Sequence, residues 1–306
     1  MTQPLRTALT SVTLGPEVTF DNLTMIPLLG TRAAPKEYAV LDDALASGAV
    51  EITEISEHGS VPELRVVNRG RCPVLIVDGE ELVGAKQNRV VNLTILVAAG
   101  SELMIPVSCV EAGRWRSRSR TFASAPRAQY AAGRAKRMSQ VTACMREDGA
   151  RRSDQADVWH NIAEKSARLG ARSETAAMEA MFVDHAARLD GFVRAIRPVE
   201  GQVGALFAVS GRIVGLDLFD APQTLAKVLP KLVRSVAIDA IDDQAEAGGG
   251  VPVAAASQFI AALGSAPAHV APAVGMGEDI RVSAPGLTGA ALAMDGVIVH
   301  ASGFVV

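Results

Sequence analysis

The sequence has 306 residues and a formal net charge of −3; 49% of its residues are hydrophobic and only 4% are aromatic. The slightly negative charge argues against nucleic acid or an anionic membrane as a general partner, and no apolar run is long enough to span a bilayer. The length allows one large domain or two smaller ones, with a core built mainly from Ala, Val, Leu and Ile.

The three cysteines predict a reducing compartment. Cys72, Cys109 and Cys144 are widely spaced and form no CxxC pair, which is typical of free thiols rather than of a disulfide framework or a zinc site. The N-terminal segment also lacks the apolar core of a signal peptide. We therefore expect a cytoplasmic protein and predict no metal site.

In chain order, residues 1–120 predict a first region of short strands separated by Gly, Pro, Asp and Asn. Residues 50–55 alternate between apolar and polar side chains, whereas residues 73–77 are apolar throughout. Many short strands at regular spacing predict an antiparallel β-sandwich or barrel, and our specific expectation is a jelly-roll-like sheet. Residues 121–306 predict a second region of helices and β-hairpins, beginning with a helical stretch over 128–197. The expected fold class is α+β.

The stretch 73–115 concentrates polar residues at the ends of three apolar strands. These residues are Asp78, Glu80 and Glu81 after the first strand, Gln87, Asn88 and Arg89 at the start of the second, and Cys109, Glu111, Arg114 and Trp115 at the end of the third. Polar groups that cluster where strands end can line a pocket, whereas polar groups scattered along a strand face usually meet water. This stretch is therefore the predicted location of a site.

Strand faces in the same stretch predict a register. Because side chains alternate between the two faces of a strand, matching the apolar faces of residues 91–97 and 103–109 places Val91 opposite Cys109. The next pair is then Arg89 opposite Glu111. Such a pair is either a structural ion pair that closes the sheet or a pair that positions a ligand, and the sequence leaves both interpretations open.

An internal repeat occupies residues 204–219 and 289–304. Their sequences, GALFAVSGRIVGLDLF and GAALAMDGVIVHASGF, align without a gap. Each predicts a hairpin with a two-residue turn, Ser-Gly at 210–211 and Asp-Gly at 295–296. We expect both hairpins to lie in one antiparallel sheet.

The hairpins add two secondary candidates, Asp217 and His300. The predicted pairing places Asp217 opposite Gly204 and His300 opposite Ala291. A small residue across from a polar one leaves room for a ligand or for a packed helix. We favour the helix, since polar residues at strand ends often act as caps.

Four segments resemble a known family. The runs DGEELVGAKQNRVVNLTILV and IPVSCVEAGRW, with the later GRIVGLDLF and DGVIVHASGF, resemble a prokaryotic family named for its association with ADP-ribosylglycohydrolases and rhodanese-like phosphatases. The resemblance covers most of the chain. It implies a place in ADP-ribose or nucleotide metabolism, carries over no reaction, and points to the same polar residues between positions 80 and 115.

Together these residues favour a site for a small phosphorylated nucleoside of the ADP-ribose type. Arg89 and Arg114 would hold phosphates, and Trp115 would stack the base. Glu81 or Glu111 would act as acid or base. The other candidate ligand contacts are Glu80, Gln87 and Asn88. The sequence identifies no cofactor.

Two other functions stay open. The high aliphatic content and the lack of a recognisable catalytic triad fit a non-catalytic, homo-oligomeric scaffold. The arginine-rich segment 114–137 could bind RNA, although the Ser/Ala/Pro composition of residues 117–126 favours a loop between domains.

Cys109 could be an activated thiolate, but its place in an apolar strand face favours core packing.

Overall fold

The computed structural model describes residues 3–30, 37–56, 62–243 and 250–306, and in these residues the chain forms eight helices and eighteen strands. The helices are α1 (Gln3–Thr10), α2 (Leu41–Ala46), α3 (Ala131–Glu147), α4 (Gln155–Leu169), α5 (Glu179–Asp184), α6 (Ala186–Ala195), α7 (Pro222–Asp242) and α8 (Val253–Ser265). The strands are β1 (Thr13–Leu14), β2 (Val18–Phe20), β3 (Leu23–Leu29), β4 (Ala39–Val40), β5 (Val50–Thr53), β6 (Glu63–Asn68), β7 (Val74–Ile76), β8 (Glu80–Gly84), β9 (Arg89–Val91), β10 (Ile95–Val97), β11 (Ser101–Cys109), β12 (Phe122–Ala128), β13 (Gln202–Val209), β14 (Arg212–Phe219), β15 (Ala268–Pro272), β16 (Glu278–Ala284), β17 (Leu287–Met294) and β18 (Val297–Val305). Helices combined with mainly antiparallel strands confirm the predicted α+β class.

The largest sheet has nine antiparallel strands and contains both predicted hairpins. Its order is β1-β3-β13-β14-β18-β17-β16-β15, with β2 paired to β3. Helices cover both faces: Leu5 of α1 and Leu263 of α8 pack with Leu216 on one face, whereas α6 and α7 pack on the other, where Phe192 and Leu229 share a core cluster with the sheet. No described helix is both long and apolar enough to cross a membrane.

The two hairpins are related by the strand pairing as well as by sequence. Both turns have positive φ at their two central residues, at 210–211 and at 295–296, as a type I′ turn requires. β14 pairs with β18 so that Asp217 faces Ser302, and these two residues occupy equivalent positions of the repeat. The prediction that both hairpins lie in one antiparallel sheet is confirmed.

The pairing predicted inside each hairpin was wrong by one residue for the residues that lie beyond the bulge, on the side away from the turn. Asp217 pairs with Ala205 rather than Gly204, and His300 pairs with Leu292 rather than Ala291. The physical reason is a β-bulge in each hairpin, at equivalent positions of the repeat, which inserts one extra residue into one strand.

Strands β4 to β12 build two smaller sheets that enclose their own apolar core. One sheet has the order β12-β8-β9-β11-β6-β5, and the other has the order β10-β7-β4. Leu82, Val91, Ile95 and Ile105 belong to the shared core cluster. Strand pairing crosses the predicted boundary at residue 120, because β12 pairs with β8 and β3 pairs with β13.

The register predicted between residues 91–97 and 103–109 was wrong. β9 and β11 do pair, but Arg89 faces Cys109 and Val91 faces Val107. Residues 92–94 interrupt the strand that was expected to be continuous, and β10 beyond them pairs with β7. The first part of β11 is thereby left to pair with β6.

Candidate functional site

The turn between β8 and β9 is strained and is held by Arg114. Gly84 has φ +128°, and Ala85, a buried non-glycine residue, has φ +37°, a region that residues with a Cβ rarely occupy. The Arg114 guanidinium donates hydrogen bonds to the Ala85 carbonyl (2.6 Å) and the Gly84 carbonyl (3.2 Å). Ser119 Oγ accepts a hydrogen bond from the Ala85 N–H at 2.9 Å. The turn thereby fixes the position of residues 87–89.

Replacing Gly84 with alanine should destabilise the protein by about 2–4 kcal/mol, because backbone strain and overpacking add together. A Cβ at Gly84 would lie 2.5 Å from Ser119 Oγ and 2.8 Å from the Thr121 carbonyl oxygen. Gly100→Ala is the matched control, since Gly100 also has positive φ but no atom lies within 4 Å of its Cβ position. We expect that control to cost only about 1 kcal/mol in urea unfolding. Equal losses for the two variants would contradict the packing argument.

Glu111 forms its ion pair with Arg114 and not with Arg89, so the predicted pair was wrong. Arg114 Nη2 lies 2.6 Å from Glu111 Oε2, and Arg114 Nε lies 2.8 Å from Oε1. The Asn88 N–H (3.0 Å) and the Thr175 hydroxyl (2.7 Å) donate to the same carboxylate. Burial opposes ionisation, but the hydrogen bonds from Arg114 and Thr175 outweigh it and lower the pKa of Glu111. The pair is a buried structural clamp on the strained turn.

Arg89 is fully buried and only partly satisfied. Its Nη1 donates a hydrogen bond to Gln87 Oε1 at 2.7 Å, whereas its Nε and Nη2 have no hydrogen-bond partner among the described residues. The half-exposed Trp115 ring lies 5.7 Å from the guanidinium carbon, and Lys86 Nζ lies 5.4 Å from the centre of the same ring. Two nitrogens of a buried cation therefore have no hydrogen-bond partner in the described part of the chain, next to an aromatic side chain.

Cys109 lies in the same pocket of side chains and is buried. Its thiol donates to Gln87 Oε1 (3.0 Å) and to the Glu111 carbonyl (3.3 Å). Burial raises the pKa of the Cys109 thiol, with Arg89 pulling the other way. Among the residues that the structure describes, the buried Trp159 Nε1 has no acceptor beyond its contact with this thiol. A protonated, packed thiol is in line with the inert interpretation, which stays a prediction.

Glu80 and Glu81 each hold a buried cation. Glu80 Oε1 lies 2.6 Å from Lys231 Nζ, and Glu81 Oε2 lies 2.5 Å from Arg127 Nε. The second Glu81 oxygen is 3.5 Å from Asn88 Nδ2. Burial raises the pKa of Glu81 in spite of the attraction of Arg127. Glu80 is therefore paired with a lysine and Glu81 with an arginine, although the two acids are adjacent in the sequence.

A second cluster of buried charge joins β14 and β18 to α3 and to the end of β7. Arg134 contacts Asp78 (2.9 Å) and Asp217 (2.7 Å), and Arg137 contacts the other oxygen of Asp78 at 2.6 Å. His300 Nε2 lies 3.1 Å from Asp217 Oδ1. The structure thus brings together Asp217 and His300, which were separate secondary candidates.

Sequence reasoning missed the two arginines of this cluster. Arg134 and Arg137 were assigned to an arginine-rich segment, but they are three residues apart on α3 and so share one helix face. Both are almost fully buried. Arginines at helical spacing within an Ala-rich stretch were the available signal for a buried cluster.

The arginine-rich segment 114–137 does not form one surface. Arg114, Arg127, Arg134 and Arg137 are buried. The remaining basic residues of the segment, which are exposed, are Arg116, Arg118, Arg120 and Lys136. The cations expected to contact RNA are therefore divided between the interior and the surface.

A cavity of about 530 Å³ lies between the start of α3, α4, the end of α7 and the β13–β14 hairpin. None of the predicted site residues lines it. Its buried Lys165 contacts Asp239 and Asp242, each at 2.8 Å, so the charges in its wall are paired. No group of three or more side chains that could hold a metal ion occurs in the described part of the chain.

Comparison with known proteins assigns the family. A family model, the ARG and Rhodanese-Phosphatase-superfamily-associated Protein domain (ARPP-1), matches residues 11–304. Searches of curated proteins and of solved structures give no match. Because the family match extends over nearly the whole sequence and includes the Gly84 turn, Arg89 and both hairpins, the chain belongs to the ARG and Rhodanese-Phosphatase-superfamily-associated Protein domain family.

Proposed function

We propose that this protein binds a small phosphorylated nucleoside of the ADP-ribose type, with Arg89 as the phosphate contact and Trp115 as the base contact. The observation that carries the proposal is the pair of unpaired nitrogens on the buried Arg89 guanidinium. Unpaired buried donors are costly, and an arginine fork matches the geometry of a phosphate. A bound anion would supply the missing acceptors.

The Trp115 ring and the nearby Lys86 ammonium group fit a ligand that has both an aromatic base and a negative charge. The indole is half exposed, so one part of it is free to stack on a base while Arg89 lies against it. Residues 112–121 lie between β11 and β12 and are nearly all exposed. Movement of this connection would let a phosphate reach Arg89.

Arg114 takes a different role from the one expected from the sequence. Its guanidinium already donates to Glu111 and to two backbone carbonyls, so it positions the turn and leaves phosphate binding to Arg89. Glu81, whose pKa is raised by burial, is the better of the two proposed acid–base groups. Glu111, whose pKa is lowered, stays ionised and holds Arg114.

A cytoplasmic location is part of the proposal. The described cysteines, Cys72, Cys109 and Cys144, are all free thiols, and free thiols are typical of reducing compartments.

Calorimetric titration with ADP-ribose, AMP and adenosine tests the ligand class. We expect ADP-ribose and AMP to bind at least about tenfold more tightly than adenosine, which corresponds to about 1.4 kcal/mol for the phosphate contact. In Arg89→Met this preference should disappear. Trp115→Ala should weaken all three ligands, because each contains the base.

Stability separates a binding role of Arg89 from a structural one. An unpaired buried charge destabilises the fold, so Arg89→Met should melt at the same temperature as the wild type or higher while losing the phosphate preference. Arg116→Met, an exposed arginine of the same connection, is the matched control and should bind like the wild type. Absence of heat with all three ligands, from folded protein, would refute the proposal.

A further inference from the structure

A threonine, a histidine and an aspartate from three strand-rich segments form a hydrogen-bonded relay. Thr94 Oγ1 lies 2.7 Å from His300 Nδ1, and His300 Nε2 lies 3.1 Å from Asp217 Oδ1. His300 and Asp217 are buried, whereas Thr94 is only half-buried. The Phe219 ring packs 4.6 Å from the imidazole and fixes its orientation. Thr94 is thus the least buried member of the relay, and its Oγ1 also accepts a hydrogen bond from the Asp78 N–H at 3.1 Å.

The direction of each hydrogen bond follows from the charge of Asp217. Burial opposes ionisation of this carboxyl, but Arg134 and the hydrogen bond from His300 outweigh it and lower the pKa of Asp217 to about 2. A carboxylate only accepts hydrogen bonds, so His300 Nε2 carries the proton and donates it to Asp217. In the neutral imidazole the other ring nitrogen, Nδ1, is then the acceptor for the Thr94 hydroxyl.

We propose that Thr94 is a nucleophile for acyl transfer from small neutral esters, with His300 as its general base and Asp217 as the group that orients the imidazole. Thr94 Oγ attacks the ester carbonyl, and its proton passes to His300 Nδ1. Collapse of the tetrahedral intermediate breaks the bond to the leaving alcohol, which takes that proton. A water molecule then attacks the acyl carbon while His300 Nδ1 takes its proton; the bond between Thr94 Oγ and the acyl carbon breaks, His300 returns the proton to Oγ, and the carboxylic acid leaves.

The surrounding charges favour a neutral electrophile over a phosphorylated one. Arg134 and Arg137 are matched by Asp78 and Asp217 in the buried cluster next to the relay. These four groups sum to zero formal charge, so the cluster offers no surplus positive charge for a phosphate. The relay shares no residue with the Arg89 site, and the acyl-transfer proposal is therefore independent of the proposed ligand.

Acetylation by p-nitrophenyl acetate tests the proposal with the full chain. The reaction is stopped with acid and the acetylated residue is located by peptide mass spectrometry. We expect the acetyl group on the hydroxyl at position 94 in both the wild type and Thr94→Ser, together with a burst of p-nitrophenol. The burst should be lost in Thr94→Val, which keeps the side-chain shape but removes the acceptor of the Asp78 N–H hydrogen bond, so its melting curve is recorded to show that the variant is folded. In His300→Gln, acetylation at position 94 should slow by at least about 100-fold, as expected for loss of a general base.

The wild type and the Thr94 variants decide the outcome even if His300→Gln fails to fold. A folded wild type in which Thr94 stays unmodified, while exposed lysines are acetylated, would overturn the proposal. So would an unchanged burst in Thr94→Val. Acetylation of Thr94 at the same rate in folded His300→Gln would remove the role of His300 and would overturn the relay.

Discussion

Asp78→Asn is expected to lower the free energy of unfolding by about 3–5 kcal/mol, as is typical when one partner of a buried ion pair is removed. Asp78 accepts hydrogen bonds from both Arg134 (2.9 Å) and Arg137 (2.6 Å) in the interior. Arg134 would keep Asp217, but of the described side chains Arg137 would keep only the neutral Gln129 as a hydrogen-bond partner. A buried guanidinium would thus lose its counter-charge. Urea unfolding at pH 7 measures the difference.

An exposed ion pair provides the control for this change. Lys227 and Asp43 also lie 2.6 Å apart, but about half of each side chain is exposed, so Asp43→Asn should cost less than about 1 kcal/mol. A loss below about 1 kcal/mol for Asp78→Asn as well would show that the buried cluster contributes little to stability.

The effect of Asp78→Asn should also depend on pH. Burial opposes ionisation of Asp78, but Arg134 and Arg137 outweigh it and lower its pKa in the folded state. The unfolded aspartate titrates near its ordinary pKa of about 3.9. The stability contributed by the carboxylate is therefore fully present above about pH 5 and is lost as the pH falls through the folded pKa. The gap between wild type and variant should narrow below about pH 4.

Local signals in the sequence predicted the hairpins, and non-local packing decided what they missed. Ser-Gly at 210–211 and Asp-Gly at 295–296 were recognisable because a type I′ turn depends on the residues in the turn itself. The bulges were not recognisable, because Val214 and Val299 resemble any other β-branched strand residue. Each bulge shifted the pairing of the residues beyond it, including Asp217 and His300.

The strand register failed for a related reason. Residues 91–97 alternate as one strand would, but the alternation does not reveal that residues 92–94 leave the sheet. Asn92 is one of two polar residues in this run, the other being Thr94. Its side chain hydrogen-bonds to Ser108 (2.6 Å) and to the Arg151 carbonyl (3.1 Å), which come from elsewhere in the chain. Such partners cannot be read from the spacing of apolar residues.

Four of the predicted site residues, Gln87, Asn88, Glu111 and Arg114, contact one another in the structure. The sequence could not show which charges would neutralise each other. Glu111 meets Arg114 through the turn after β11, and that local geometry leaves Arg89 without a carboxylate among the described residues. Whether these residues bind a ligand stays a prediction.

The buried arginines separate into two groups by their partners. Arg114 and Arg134 have carboxylates at 2.6–2.7 Å and stabilise particular contacts between segments. Within the described ranges, Arg89 has only an amide oxygen as a hydrogen-bond partner. Removing a paired arginine should therefore destabilise the fold, whereas removing Arg89 should not. Double-mutant cycles that combine a Glu111 variant with a variant of Arg114 or of Arg89 test this distinction.

A double-mutant cycle on Arg114 and Glu111 should give a coupling free energy of about 1–3 kcal/mol. The two side chains are 4% and 3% exposed, so Arg114→Met and Glu111→Gln should each cost about 3–5 kcal/mol in urea unfolding, and the double variant should cost less than their sum. The matched cycle pairs Arg89→Met with Glu111→Gln. Its coupling should be smaller, because in the described residues Arg89 donates to Gln87 rather than to the Glu111 carboxylate, and Gln87 contacts only the backbone carbonyl of Glu111. A larger coupling for Arg89 than for Arg114 would restore the register predicted from the strand faces and would contradict the pairing of Arg89 with Cys109.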